Sequence, residues 1–493
     1  MDTDAIAFGT DGWRDTLDVF TDERVRAVGQ AVADYLVAEV VSDDAVEETG
    51  SPEDGTHGTV LVGYDARPSS EGFAESLADV LAGNGFDVCL PERDCPTPLV
   101  AHGIVDRDAL GALVVTASHN PPEYNGVKFV PGDGAPALPA VTDEIVARLR
   151  APEPDATGAA RGVIRRVDLQ TPHAEAARGL VGRYVDGTTT PEGTVDLSGL
   201  TVAYDAIHGS GRGVTDALLS SAGADVIRLR TDRDPEFGGV SPEPSEEYLN
   251  ELVATVREGE ADLGIANDGD ADRLAVVTPE RGVVDENLFF AATYDALLAA
   301  ETGPAVRTVS TTFLIDRIAE AHGTETVETP VGFKWVAEAM ADDDALMGGE
   351  ESGGFSVRGH VREKDGVAVA LLAAAVQAVE SYDDRLDRIA AEYGEIVADK
   401  TSVDCPDAAK TPVIEALGES IPDTVAGRGV ADVVTVDGFK LLLDDGSWLL
   451  VRPSGTEPKV RVYAEAADGD ATEALLAAGR ELVEPVVDRV TGA

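Results

Sequence analysis

Thr59-Val-Leu-Val-Gly-Tyr64 is a run of buried-strand residues; an amphipathic stretch over 71–81 follows it, and a second apolar run, Phe86-Asp-Val-Cys-Leu90, closes the unit. Strand, helix, strand with short Gly-containing turns is the pattern of a βαβ crossover, which is right-handed and calls for a parallel or mixed sheet covered by helices. The plan recurs at 201–204, 213–221 and 225–229, and again at 306–310, 313–322 and 325–328. Three copies at wide spacing predict three related α/β domains with mixed sheets; a single large α/β domain is the plainer alternative. Beyond residue 398 the pattern changes. Strand-like 433–436, 439–443 and 448–451 are separated by Asp437-Gly438 and Asp444-Asp445-Gly446, and a helix is expected over 471–483, so the tail reads as a smaller α+β domain. The expected domains are 1–150, 151–300, 301–398 and 399–493. Residues 150–160, without periodicity, read as a linker, and the acidic, Gly-rich 42–58 as an exposed insertion.

Composition narrows the function. The chain has 493 residues with 92 acidic side chains against 38 basic ones, a formal net charge of −54. Such a chain repels phosphate backbones and is no general nucleic-acid binder. Its 43% hydrophobic content supplies real cores, against acidic disorder. The balance fits a protein adapted to strong brine, where self-repulsion is screened: the Debye length falls from about 8 Å at physiological salt to about 3 Å at 1 M. Cys89, Cys95 and Cys405 make neither a disulfide framework nor a zinc pattern. Without a basic, apolar leader or a run of 18 apolar residues, the chain reads as cytoplasmic and independent of membranes.

Four loops carry residues that packing does not require. Thr116-Ala-Ser-His-Asn-Pro-Pro122 follows the apolar strand 110–115. It offers Ser118 as nucleophile or phosphate carrier, with His119 and the downstream Lys128 to handle protons, although Ser, Asn and Pro also make ordinary turns. Asp268-Gly-Asp-Ala-Asp-Arg273 lies between apolar strands 263–266 and 274–277. Carboxylates at alternate positions, Asp268, Asp270 and Asp272, can face one hard cation, Mg²⁺ or Ca²⁺. An EF-hand is excluded, because Arg273 and Pro279 stand where its Gly and closing Glu belong. Gly348-Gly-Glu-Glu-Ser-Gly-Gly-Phe355 presents Glu350 and Ser352, an acceptor and a donor suited to sugar hydroxyls. Arg452-Pro-Ser-Gly-Thr-Glu-Pro458 places Arg452, Ser454, Gly455 and Thr456 as an anion cradle, or as a plain Pro-Gly turn; it is no Walker loop.

In this order and spacing the four loops, with the opening Phe8-Gly-Thr-Asp-Gly-Trp-Arg14, resemble the α-D-phosphohexomutase family over nearly the whole chain. The resemblance implies four domains around one cleft, the last resembling TATA-binding-protein folds. It implies a phosphoserine at Ser118 and a hexose 1,6-bisphosphate as intermediate and activator. It further implies Mg²⁺ held by the three aspartates and a phosphoserine oxygen. Arg14 and Arg273 would flank the phosphoserine, with Lys128 as proton handler and His119 beside it. Glu350 and Ser352 would hold the sugar's hydroxyls, Lys334, in Thr329-Pro-Val-Gly-Phe-Lys334, would bind substrate or act in proton transfer, and 452–456 would hold the phosphate not being transferred. Lys364-Asp-Gly366 reads as structural or outer-shell. The Glu350-Glu-Ser352 form resembles glucomutases, although Gly354 replaces a His found in many members. Glucose phosphates are therefore expected first, then mannose or dual use, then glucosamine. The partners expected are small sugar phosphates, with the chain a monomer or homodimer. A catalytically silent sugar-phosphate-binding protein and a metal-dependent phosphohydrolase are the competing classes.

Overall fold

Each of the three repeats builds a sheet with one strand order, visible in a computed structural model that describes residues 3, 5–9, 12–41, 56–153, 160–188, 195–455 and 457–492. In the first sheet Thr59–Tyr64 lies between Asp87–Pro91 and Gly111–Val115, parallel to both, and Tyr124–Pro131 pairs antiparallel with Gly111–Val115. The second repeats this with Thr201–Asp205 between Asp225–Leu229 and Leu263–Asn267, and Leu274–Thr278 antiparallel to the latter. The third does so with Ala305–Thr308, Thr326–Thr329, Met347–Gly349 and Phe355–Val357. The central parallel strands Thr59–Tyr64 and Thr201–Asp205 are mostly apolar because helices cover both their faces. In the first sheet those helices are Ser70–Gly83 and Thr97–Asp106. The fourth sheet is wholly antiparallel, from Val397–Asp404 at one edge to Thr424–Val425 at the other. Three mixed α/β sheets and one antiparallel α+β unit are the architecture expected from the sequence.

The core explains how these parts hold together. One continuous apolar cluster runs from Leu61 in the first sheet to Ile389 after the third. Its centre is helix Gly366–Val379, apolar on nearly every face and buried from Gly366 to Val376. That helix packs on helices Gln170–Tyr184 and Thr215–Ser221 and on strand Leu263–Asn267, so the third unit is keyed into the second. No single described helix is long and apolar enough to cross a membrane. The fourth unit has its own core, and a small apolar patch (Val309, Trp448, Leu450, Tyr463) joins it to the third.

Several sequence-based boundaries shift. The strand expected to reach Ser310 stops at Thr308, whose hydroxyl bonds Ser310 and Thr311 and turns the chain. The last helix spans Gly469–Thr491, well past residue 483. Asp468 caps its start, and it continues through Pro485 because Val486 and Val487 bury against the fourth core. The strand expected at 433–436 is the end of a longer one, Arg428–Val434. The parts of the proposed insertion and linker at 42–55 and 154–159, and Thr10, Asp11 and Thr456, lie outside the described residues.

Candidate active site

The shared strand order puts chemistry in one place. In each repeat the loop between the third, parallel strand and the fourth, antiparallel one carries the unusual residues: 116–123, 268–273 and 350–354. Loops beyond the carboxyl ends of parallel strands are where open α/β sheets bind ligands. Here three such loops meet.

Ser118 is buried and its backbone sits in the left-handed region at φ 51, a costly conformation for a residue with a Cβ. The serine loop is held there by Arg67, which sequence reasoning missed. Its Nη1 donates to the carbonyls of Pro121 (2.7 Å) and Tyr124 (3.1 Å), and its Nη2 to those of Ser118 (2.9 Å) and Asn120 (2.7 Å). Its Nε pairs with buried Asp65 at 3.0 Å. The only sequence signal was a charged Asp65-Ala66-Arg67 directly after a buried parallel strand.

Ser118 Oγ donates to Asp268 Oδ2 at 3.0 Å, joining the first loop to the second. Asp268, Asp270 and Asp272 are buried, and one ligand oxygen from each lies within 4.8 Å of the others. Thr97, at the start of helix Thr97–Asp106, donates its N–H to the Asp270 carbonyl (2.9 Å) and its hydroxyl to Asp270 Oδ2 (2.7 Å). Ala271, like Ser118, has a positive φ of 52. Gly269 is required by close approach: a Cβ there would stand 2.6 Å from the Ser118 carbonyl oxygen.

Cations ring the carboxylates. Lys364 Nζ is 3.0 Å and Lys128 Nζ 3.5 Å from Asp272, with Lys128 also 3.6 Å from Asp270. Lys364 therefore touches the acidic cluster directly. A Cβ at Gly354 would lie 2.4 Å from Lys364 Cδ, so the small residue at that position makes room for the lysine stem. Burial, then the Asp272 and Asp270 charges, push the Asp268 carboxyl well up. Burial also works to raise Asp272, but Lys364, Lys128 and Arg273 outweigh it and hold that carboxyl low. Asp270 Oδ1 and Asp272 Oδ1 are buried with no hydrogen-bond partner among the described residues. Orphaned carboxylate oxygens around one point fit a hard divalent cation, which would satisfy them.

The remaining expected residues fall into two groups. Arg14 and Arg273 lie close enough to His119 to act on its charge. With burial as the largest cause, they bring the imidazole down to about 2, so it is neutral, and its Nδ1 is 3.3 Å from Ser118 Oγ. Pairing of Gly12–Thr16 with Tyr124–Pro131 sets Arg14 opposite Gly126. Glu350 is buried, accepts from the Gly332 N–H at 3.0 Å, and is raised by burial against the pull of Lys364. Ser352 is half-buried on the same loop, and Lys334 lies over the Trp335 ring. The 452–458 loop forms a separate cluster on the fourth unit. Arg452 Nε donates to Asp437 Oδ2 at 2.8 Å, and the same carboxylate oxygen accepts from the Val331 N–H at 3.2 Å, tying this loop to the third unit. Ser454 is buried and Gly455 exposed; Lys410, absent from the sequence reading, donates to the Ser454 carbonyl at 2.7 Å.

Models of the phosphoglucomutase/phosphomannomutase family match the chain in four stretches: α/β/α domain I at residues 5–155, domain II at 183–282, domain III at 285–395 and the C-terminal domain at 401–482. Over 466 residues the chain is 32% identical to the phosphoglucosamine mutase of Frankia alni, covering 93% of this chain and 94% of that one. It is 31% identical over 430 residues to the phosphoglucomutase/phosphomannomutase of Thermococcus kodakarensis, covering 86% and 90%. A solved phosphoglucomutase/phosphomannomutase family protein from Burkholderia thailandensis superposes with a TM-score of 0.79 at 22% identity, over 99% of this chain and 98% of that one.

Proposed function

We infer the reaction from one premise: the chain belongs to the phosphoglucomutase/phosphomannomutase family. It is thus a phosphohexomutase, an isomerase that moves phosphate within a sugar phosphate. We propose that Ser118 carries the phosphoryl group and that the substrates are hexose 1- and 6-phosphates, glucose first. The observation that carries this reading is the Ser118 hydroxyl, 3.0 Å from Asp268 inside a buried three-carboxylate cluster in which two oxygens take no hydrogen bond among the described residues.

In the first half-reaction the bond from phosphorus to Ser118 Oγ breaks and one to a sugar hydroxyl oxygen forms. The hydroxyl proton leaves the sugar and ends on Oγ. The resulting hexose 1,6-bisphosphate reorients, and its other phosphoryl group returns to Ser118 by the reverse steps. Asp268, Asp270, Asp272 and a phosphoserine oxygen would hold Mg²⁺, which when bound neutralises charge on the transferred group. Lys128 is the candidate proton handler: its ammonium would give a proton to Oγ as the phosphoryl group departs and be restored by the proton of the sugar hydroxyl. His119, kept neutral, positions Oγ without adding a charge, and Arg14 and Arg273 offset the phosphoryl oxygens. Such transfers depend on positioning and electrostatics more than on an activated nucleophile. Glu350, Ser352 and Lys334 hold the sugar, and Arg452, Ser454, Gly455 and Thr456 grip the phosphate that stays. A glucosamine phosphate is the second reading, favoured by the name of the Frankia relative.

One assay tests this. The enzyme is incubated with Mg²⁺ in molar KCl and the 1-phosphates of glucose, mannose and glucosamine, and 6-phosphates and free phosphate are followed. Isomer without free phosphate is expected, glucose fastest, and Ser118→Ala should abolish it. Full turnover by that variant removes the phosphoserine route; free phosphate as the main product supports the hydrolase.

A further inference from the structure

Two of the chain's seven histidines meet at one carboxylate and a third packs beside them, apart from the residues assigned above. His102 lies on helix Thr97–Asp106, His173 on helix Gln170–Tyr184, and His360 and Asp365 on the segment between strand Phe355–Val357 and helix Gly366–Val379. His173 Nε2 and His360 Nε2 stand 2.6 and 2.7 Å from the same oxygen, Asp365 Oδ2. Their ligand atoms and that oxygen all fall within 4.8 Å of one another. The other oxygen, Oδ1, accepts from the N–H groups of Val367 (3.0 Å) and Ala368 (2.7 Å), which fixes the carboxylate's orientation. The His102 ring packs against the group, with its centroid 5.6 Å from that of His173 and 5.8 Å from that of His360, which are 5.3 Å from each other.

Hydrogen bonding to Asp365 explains two of these imidazoles and leaves the third without a purpose. His102 Nδ1 is buried and has no hydrogen-bond partner among the described residues. A polar nitrogen withdrawn from water and left unbonded is costly. Rings sharing one ion at about 2 Å from each nitrogen have centroids about 5 Å apart, close to the observed spacing. Imidazoles with one carboxylate are the donor set of zinc-class ions, not of Mg²⁺, which takes oxygens. A cavity of about 430 Å³, lined in part by His102 and His360, gives an entry path.

We propose that His173, His360 and Asp365 form a binding site for a zinc-class divalent ion, and that the bound ion draws in the adjacent His102 as fourth ligand. The ion links the first α/β unit, helix Gln170–Tyr184 and the third unit. It also anchors the residue next to Lys364, whose ammonium reaches Asp272. The proposal is independent of the identity of the sugar and of Ser118 chemistry.

The test uses full-length protein stripped with a chelator, then supplied with millimolar Mg²⁺ to occupy the aspartate cluster, and titrated with Co²⁺. Strong visible d–d absorption of a four-coordinate ion, saturating at one equivalent and displaced by Zn²⁺, is expected. His360→Gln should lose these bands with its circular dichroism intact, and His102→Asn should bind at least tenfold more weakly. A spectrum no different from aqueous Co²⁺, or bands undiminished in His360→Gln, overturns the site; unchanged affinity in His102→Asn overturns its place as fourth ligand. X-ray absorption of the zinc-loaded wild type does not depend on any variant folding: scattering from two or more imidazoles supports the site, and an oxygen-only shell overturns it.

Discussion

Arg67→Met is the sharpest probe of how the serine loop is held. The substitution keeps the apolar stem but removes the donors to four loop carbonyls and the partner of Asp65. Burial pushes the Asp65 carboxyl up and Arg67 is the first charge opposing it. Breaking one side of a buried ion pair costs about 3–5 kcal/mol. Each hydrogen bond from a charged group contributes about 1.5–3 kcal/mol, but the freed carbonyls rebond to water, so the total should stay near 3–5 kcal/mol. Turnover should suffer more than stability at temperatures where the variant is folded. A loop slackened by about 1 Å costs about 100-fold when the reacting hydroxyl must be placed in line. Urea unfolding followed by circular dichroism gives the first quantity, and initial isomerisation rates at saturating substrate give the second. Arg67→Lys, which can still face Asp65 but cannot fork to four carbonyls, should recover part of the stability and little of the turnover. Destabilisation below about 1 kcal/mol in Arg67→Met, together with near-wild-type turnover, would refute the assignment of this side chain as the loop's anchor.

Gly269→Ala would set a Cβ 2.6 Å from the Ser118 carbonyl oxygen, so it should lower kcat about 100-fold while shifting stability by about 1–3 kcal/mol; unchanged kcat counts against the contact. Lys440 lies between Phe313 and Trp448 where the third and fourth units meet. Burial first, then Arg307, pushes its ammonium from 10.5 down to about 8, against Glu328 and Glu465. Between those values the unfolded chain binds the extra proton, so stability should rise with pH through this window by about 3 kcal/mol and be lost as pH falls back through 8. Urea midpoints measured at pH 8 and 10 should show this slope in wild type, and a slope undiminished in Lys440→Met contradicts it. Dialysis from molar KCl into dilute buffer should unfold a chain of net charge −54; circular dichroism that does not change would defeat the brine-adapted reading.

The periodicity of the βαβ runs placed strands such as Thr59–Tyr64 and Thr201–Asp205 closely, because a buried parallel strand needs a run of mostly apolar residues and its flanking turns need glycine. The loops at 116–122, 268–273 and 348–355 stood out for the converse reason: their polar residues interrupt strands that packing alone would have continued. Arg67 was missed because its carbonyl partners lie 51–57 residues away, and its purpose exists only once the serine loop curls over it. Lys364 looked structural because the small Gly354 that admits its stem is ten positions upstream on another element. The helical extension to Thr491 was missed for a third reason, since Pro485 weakens a local helix signal that tertiary burial of Val486 and Val487 restores.

That Ser118, the acid cluster and Glu350 occupy equivalent hairpins of three sister units has a genealogical reading. One ancestral turn, multiplied, was free to specialise in each copy, because any trade it adopted was delivered to the same meeting place. The cost is mutual dependence: cut apart, each copy loses part of the core it shares and inherits a tool that is useless without the other two.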